Sequence, residues 1–186
     1  TVRYTETDEA RFGIGGGYGD IGGNTNLQNV HASAQYNRVL ASPMYAGLRT
    51  DFLYDDIASV DYRVTPAAVL GAYLIKTDKT KLSIEAGPAG TFQKQGGVTD
   101  SFFSVVAQQR LEVAINGRTK IWESVGGLLN TSDTSDYIIN AEAGVDMKLS
   151  TALSLRVVAQ NLYDARPAAG ADSNELRLTS GIAITF

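Results

Sequence analysis

The last stretch of the chain decides the fold: Glu175-Leu-Arg-Leu-Thr-Ser-Gly-Ile-Ala-Ile-Thr-Phe186. Its apolar side chains share one face, which is formed by Leu176, Leu178, Ile182, Ile184 and Phe186. A period of two is typical of a β-strand with two unlike faces. The apolar face continues to the last residue, where soluble chains usually end in polar side chains. The pattern predicts a strand of a transmembrane β-barrel, with apolar side chains toward lipid and polar ones toward the lumen.

The composition narrows the class of protein. The chain has 186 residues, a formal net charge of −4 and no cysteine. A negative net charge gives no electrostatic reason to expect binding to nucleic acid, which needs a clustered basic surface. Without cysteine, neither a disulfide framework nor a thiolate metal site can form. We therefore expect no nucleic-acid partner, no metal and no cofactor. No run approaches the ~18 consecutive apolar residues of a transmembrane helix. The 19 glycines and 9 tyrosines against 4 prolines favour an all-β chain instead.

Alternation and turn residues predict an antiparallel barrel of about ten strands. The segments lie near 12–22, 25–38, 43–56, 61–74, 81–94, 101–115, 118–131, 136–149, 152–164 and 174–186. The stretch from Thr119 to Asn130 fits neither phase of alternation, so we expect a bulge or a shifted register there. Residues 12–186 should form a single barrel domain, preceded by a periplasmic N-terminal tail at residues 1–11.

The connections between these segments are of two kinds. Residues 76–81, 116–118 and 150–151 resemble compact turns, and Asn116-Gly117 is a strong hairpin signal. Residues 95–100, 131–136 and 164–173 are more polar and predict looser loops. Outer-membrane barrels have short periplasmic turns and longer external loops. We therefore expect the second group to face the outside of the cell.

Aromatic side chains on the predicted outer face fall near the two ends of the barrel. The external end would carry Tyr54, Tyr62, Phe92, Phe103, Tyr137 and Tyr163, and the periplasmic end Phe12, Tyr36, Trp122 and Phe186. Two aromatic girdles at opposite depths are typical of membrane interfaces. The alternative is a soluble antiparallel barrel in which the same apolar faces point inward.

Three short motifs resemble the family of salt-induced outer-membrane proteins, bacterial barrels of unknown function. They are Gly23-Asn24-Thr25 after a glycine-rich strand, Asp51-Phe-Leu-Tyr-Asp55, and Tyr163-Asp-Ala-Arg-Pro167 before the final strand. The resemblance runs from Phe12 onward. It implies an exported outer-membrane β-barrel, and it implies no activity and no catalytic residues.

The predicted lumen is rich in charge of both signs. It would contain Arg49, Asp51, Asp55, Asp61, Arg63, Glu85, Arg110, Glu112, Glu142, Asp146, Lys148, Arg156, Glu175 and Arg177, with Arg156 close to Glu142 and Glu175. Buried charges need partners. The residues predict either an ionic plug or a slim, porin-like conduit for ions or small solutes. Barrels of about eight strands are filled by side chains, so about ten strands favours the plug.

One pair of residues offers an enzymatic alternative. His31 and Ser33 lie two residues apart and project from the same face of a strand. The pair is similar to the arrangement in outer-membrane lipid A deacylases, in which a carboxylate completes a triad. Nucleophilic catalysis needs the hydroxyl and the imidazole within hydrogen-bond reach. Both residues would face the lumen, away from lipid, so we predict no enzymatic activity.

These observations favour a structural or accessory barrel in a Gram-negative-type outer membrane. Its expected partners are outer-membrane lipid, the barrel-insertion machinery during assembly and other envelope proteins. A narrow channel and a lipid-modifying enzyme that uses His31 and Ser33 are the alternatives.

Phe186 should act as an assembly signal, because terminal aromatic strands resemble the signal that the insertion machinery reads. Deletion of Phe186 should lower the yield of folded barrel in membranes, measured by heat-dependent gel mobility of membrane fractions. An unchanged yield would exclude this role.

Overall fold

The computed structural model describes residues 2–3, 8–21, 24–150 and 153–184. They form one antiparallel sheet in which each strand pairs with the next along the chain. The strands are β1 (Val2–Arg3), β2 (Asp8–Ile21), β3 (Asn24–Ala41), β4 (Met44–Asp55), β5 (Val60–Lys76), β6 (Thr80–Gln95), β7 (Val98–Ala114), β8 (Thr119–Asn130), β9 (Tyr137–Lys148), β10 (Leu153–Asp164) and β11 (Asn174–Ile184). Within the described ranges there is no helix long and apolar enough to cross a membrane.

The sheet curls into a half-barrel, and contacts between distant strands show how strongly it curves. Arg177 on β11 binds Asp55 at the end of β4. Seven strand spacings of about 4.8 Å would separate these strands by about 34 Å on a flat sheet. Because an arginine side chain covers only a fraction of that distance, the sheet must bring β11 back toward β4.

The ten long strands, β2 to β11, confirm the predicted strand number and antiparallel order. The N-terminal boundary differs from the predicted one. β2 begins at Asp8, so residues 8–11 of the predicted tail belong to the sheet, and Val2–Arg3 pair with Ala10 and Glu9. Phe186, the expected assembly signal, lies outside the described residues.

The bulge predicted between Thr119 and Asn130 is wrong. β8 pairs with β7 and with β9 in continuous register along its length. The alternation is obscured by side-chain type, because the apolar Trp122 and Leu128 belong to the concave face and Glu123 to the convex face. The register shifts between described strands lie elsewhere, within the pairs from β2–β3 to β5–β6.

The connections confirm one part of the predicted pattern and correct another. Residues 131–136 and 165–173 form longer connections at one end of the sheet, which we call the loop end, opposite the turn end. The loose loop predicted at 95–100 is wrong, because β6 and β7 are joined by Gly96 and Gly97 alone. Their φ angles are 57° and 79°. Positive φ at both central residues is the geometry of a tight type I′ hairpin, which glycine adopts without steric cost.

The two faces of the sheet differ in chemistry. The convex face exposes large apolar side chains across the strands, such as Ile14, Phe103 and Leu178, which are 83%, 78% and 76% exposed. The concave face holds most of the buried polar residues together with one small apolar cluster. That cluster contains Ala67, Val69, Ala89 and Val106, with Leu128 packed against it.

Gly87 marks a close approach of two backbones and should not tolerate a side chain. A Cβ atom there would lie 1.9 Å from the carbonyl oxygen of Ala68, whereas one at Gly181 would have no neighbour within 4 Å. We expect Gly87→Ala to lower the free energy of unfolding by about 1–3 kcal/mol and Gly181→Ala to change it by about 0.5 kcal/mol or less. Urea unfolding midpoints of the two variants provide the measurement, and equal midpoints would contradict this packing.

Candidate functional site

The polar residues of the concave face form two networks, separated by the apolar cluster around Val69. The turn-end network is centred on Glu85, and the loop-end network is centred on Arg63 and Asp55. Both join strands that are not neighbours in the sheet. The concave face is therefore the candidate functional site, because chemically versatile side chains converge there from most of the chain.

Glu85 is the hub of the turn-end network, and its side chain is 8% exposed. Its Oε2 atom accepts hydrogen bonds from the Tyr45 hydroxyl and from Gln35 Nε2, both at 2.8 Å. Arg49 Nη1 lies 3.5 Å from the other carboxylate oxygen, Oε1. The same guanidinium donates to Gln108 on β7 and, at 2.6 Å, to Asp51. Residues of four strands, β3, β4, β6 and β7, are thus joined through one carboxylate and one guanidinium.

Two further clusters extend this network toward β2 and β8. Glu9 binds Arg11 at 3.1 Å and accepts a hydrogen bond from the Tyr73 hydroxyl at 2.9 Å, which joins β2 to β5 across the concave face. On the other side, Glu112 binds Arg110 at 2.9 Å and Lys120 at 2.7 Å.

The second cluster corrects the placement of Trp122. The guanidinium of Arg110 stacks on the Trp122 ring at 4.8 Å from its centroid. Trp122 therefore faces the concave side and is 9% exposed, rather than lying in the outer girdle. Its ring lies over Gly144, where a Cβ atom would come within 2.6 Å of the indole.

Arg63 is the buried centre of the loop-end network. It donates to Gln93 at 2.7 Å and to Gln95 at 2.8 Å, both on β6. Its Nη2 atom also lies 3.4 Å from Asp164 at the end of β10. A buried guanidinium with three acceptors, one of them a carboxylate, is well satisfied.

Asp55 and Arg177 form the second part of this network. The Asp55 carboxylate, 1% exposed, binds Arg177 and accepts a hydrogen bond from the Ala58 backbone N–H at 3.0 Å. Arg177 also binds Glu175 on its own strand. One guanidinium thus serves two carboxylates, and it joins the last strand to the end of β4.

The pairings predicted around Arg156 are corrected. Arg156 binds Asp146 through two hydrogen bonds of 2.6 and 2.9 Å. Glu142 accepts from the amides of Asn140 and Gln160 instead, and Glu175 binds Arg177. The antiparallel register sets this choice, because Arg156 is directly opposite Asp146.

Asp61 and Lys148 also differ from the other predicted lumen charges. Asp61 is exposed and binds Lys94 at 2.5 Å, because a register shift between Val60 and Tyr62 interrupts the alternation there. Lys148 is exposed at the turn end and makes no salt bridge with a described residue. The remaining predicted lumen charges lie on the concave face.

A salt bridge joins two of the connections at the loop end of the sheet. Arg166 binds Asp133 at 2.7 Å and donates to the Ser135 hydroxyl at 2.6 Å, which joins the 165–173 connection to the 131–136 connection. The Ser135 hydroxyl and backbone N–H both donate to Asp133, and these bonds hold the pKa of Asp133 below its usual value.

His31 and Ser33 share the concave face, as predicted. Neither side chain makes a hydrogen bond to another described residue. The imidazole lies over Gly15 of β2, where a Cβ atom would come within 2.4 Å of it. Asp51 is opposite Ser33 in the sheet, yet its carboxylate binds Arg49. The arrangement lacks the contacts that would activate a serine hydroxyl.

The predicted girdle aromatics other than Trp122 and Phe186 belong to the convex face or the strand ends. Phe12 and Tyr36 lie toward the turn end, and Tyr54, Tyr62, Phe92, Phe103, Tyr137 and Tyr163 toward the loop end. Tyr137 and Tyr163 pack with ring centroids 5.9 Å apart. The part of the chain that the structure describes contains no group of three or more His, Asp or Glu residues placed to hold a metal ion.

A family of known sequences matches the whole chain. A family model described as "Protein of unknown function, DUF481" matches residues 1–186. The chain belongs to this family. No curated protein and no solved structure matches the chain. The resemblance to the salt-induced outer-membrane proteins therefore stays a prediction.

The neutral residues of the networks escaped the sequence analysis of this DUF481 protein. Gln35, Tyr45, Tyr73 and Gln108 each form a hydrogen bond with a charged side chain on a strand that is not a neighbour of their own. A charge-based search misses them, and their hydrogen-bond partners depend on how the sheet curls. Their shared face was the available signal: Tyr45, Tyr73 and Gln108 alternate in phase with predicted lumen charges on their own strands, and Gln35 alternates in phase with His31 and Ser33.

Burial should decide how much each ion pair of this DUF481 protein contributes to the free energy of unfolding. Arg63→Met should lower the free energy of unfolding by about 3–5 kcal/mol, because it leaves Asp164, whose side chain is 14% exposed, without its cation. Arg156→Met should cost about 0–1 kcal/mol, because the Arg156 side chain is 51% exposed. Urea unfolding of the folded protein would compare them, and a larger loss for Arg156→Met would contradict the assigned burial.

Proposed function

We propose that the chain forms a closed β-barrel in a bacterial outer membrane. The observation that carries the proposal is the distribution of side chains on the two faces of the sheet. Large apolar residues are exposed over the convex face, and charged and amide residues are buried in the concave face. An exposed apolar surface of this extent marks a membrane or a partner, and polar-in with apolar-out is the pattern of membrane barrels.

The proposed closure joins β2 to β11. Among the described residues, β2 pairs on its outer side only with the two residues of β1, and β11 pairs only with β10. Long unpaired edges promote aggregation in water and cannot be satisfied in lipid. The Arg177–Asp55 contact favours closure, because it shows that β11 curves toward the β2 side of the sheet.

The proposed role is structural or accessory, without enzymatic activity. The turn-end network crosses the concave face from β2 to β8, and the loop-end network crosses it from β4 to β11. In a closed barrel these side chains would lie in the lumen and act as an ionic plug. Paired buried charges rigidify such an interior, and separating them is costly. The loop end would face the outside of the cell.

A narrow conduit is the second candidate, and the side chains near the seam favour it. On the concave face of β2 and β3, Gly13, His31 and Ser33 are exposed, and the networks leave this region uncovered. In this case, neutralising Arg110 or Glu142 should change ion selectivity, because rings of charge set selectivity in pores.

Planar-bilayer conductance of the purified, detergent-folded protein tests the plug. The wild-type protein should be silent, and the double variant Arg49→Ser, Glu85→Ser should show stable unitary steps, because it removes the hub of the turn-end network. Removing both charges avoids leaving either one buried without a partner. The matched control is Lys94→Ser with Asp61→Ser, which removes an exposed ion pair and should leave the barrel silent.

Unitary steps from the wild-type protein would refute the plug and support the conduit. Lipid hydrolysis that His31→Ala abolishes while the fold is retained would refute the non-enzymatic role. Failure of the folded chain to insert into vesicles would refute the membrane location itself.

A further inference from the structure

Glu123 is an exception on the apolar convex face. It lies within β8 and is exposed, whereas the other charged residues described on this face, among them Arg38 and Lys94, lie close to strand ends. Its neighbours across the strands on either side are Leu111 and Ala143. A carboxylate in this position would meet lipid in the proposed membrane, and ionisable residues facing lipid are rare and costly.

Glu123 has one polar neighbour, Gln109 on β7. The Gln109 amide nitrogen lies 3.4 Å from Glu123 Oε1, which is a long hydrogen bond. The carboxylate retains acceptor capacity, because each of its oxygens can accept more than one hydrogen bond. The hydrogen-bonding capacity of the pair is therefore incompletely used. The Gln109 amide can donate, and the Glu123 carboxylate can accept, a further hydrogen bond on the outer side of the sheet.

The convex face beside the pair carries small residues together with the larger Leu111 and Val125. Ala107, Gly127, Ala141 and Ala143 belong to the convex face of β7, β8 and β9 next to the pair. Small residues let two membrane-embedded surfaces approach closely, so that polar side chains can bond across the contact. Glu123 also disturbs the alternation of β8, and such local departures from pattern are expected at functional positions.

We propose that Gln109 and Glu123 form the centre of a two-fold interface with a second copy of this chain, an inference that rests on the proposed membrane location. In a two-fold contact, residue i of one copy meets residue j of the other, and j meets i. The Gln109 amide of each copy then donates to the Glu123 carboxylate of its partner. The donor and the acceptor are both present on one patch, so the patch is complementary to itself.

Cysteine cross-linking tests the interface directly, because the chain contains no cysteine. Val125 is opposite Gln109 in the sheet and is 45% exposed, so Val125→Cys places a thiol beside the proposed axis. Leu48→Cys on β4 is the matched control on the same face, with an exposed fraction of 65%. Each variant is folded into phosphatidylcholine vesicles at low protein density and oxidised with copper phenanthroline.

Val125→Cys should give a covalent dimer and Leu48→Cys should not. Adding Gln109→Leu and Glu123→Leu to Val125→Cys should reduce the dimer by roughly tenfold. A tenfold change in the association constant corresponds to a free energy of the size that hydrogen bonds between helices contribute in membranes. The conservative Glu123→Gln should retain most of the dimer, because its amide oxygen still accepts from Gln109. Heat-dependent gel mobility confirms that each variant is folded.

Equal cross-linking at Leu48 and Val125 would overturn the interface, and so would a yield that the double leucine substitution leaves unchanged. A chain that inserts into vesicles but stays monomeric refutes the interface and leaves the membrane location standing. A chain that folds and dimerises through Val125 without lipid refutes the membrane location and supports the paired contact.

Discussion

The salt bridge between Arg177 and Asp55 is the interaction on which the shape of the sheet depends. It joins the last strand to the fourth, and the Asp55 carboxylate is almost completely buried. A buried carboxylate without a cation is strongly unfavourable, so the sheet must curve until β11 reaches β4. The Arg63–Asp164 pair imposes a similar constraint between β5 and β10. Curvature and charge satisfaction are therefore one requirement in this protein.

The rest of the concave face follows from the same requirement. Long side chains such as Arg49 and Tyr73 reach across several strands to partners on the opposite wall. Small residues make room for them: the Tyr45 ring lies where a Cβ atom at Gly71 would be. The apolar cluster around Val69 fills the space between the two networks. The interior is thus mostly polar and bonded across strands, and the convex face retains the apolar residues that an ordinary soluble core would contain.

The eighth strand shows what happens when side-chain type and side-chain direction disagree. Trp122 lies inward against Arg110, and Glu123 lies outward beside Gln109, so neither phase of alternation appeared consistent. The backbone is nevertheless regular, because its hydrogen bonds depend on register and not on hydrophobicity. An irregular pattern on a regular strand therefore indicates special side-chain environments, and it directs attention to both faces of β8.

The sequence alone determined the all-β class, the strand number, the strand order and most face assignments, since strict alternation identifies a strand and its two faces independently of distant contacts. It also identified most of the concave charges. Only the tertiary structure decided which charges pair, because partners such as Asp55 and Arg177 come from strands far apart in the chain. Likewise, the neutral hubs Tyr45, Gln35 and Gln108 gain their partners through curvature. Local pattern fixes the direction of a side chain, and the curl of the sheet fixes what that side chain meets.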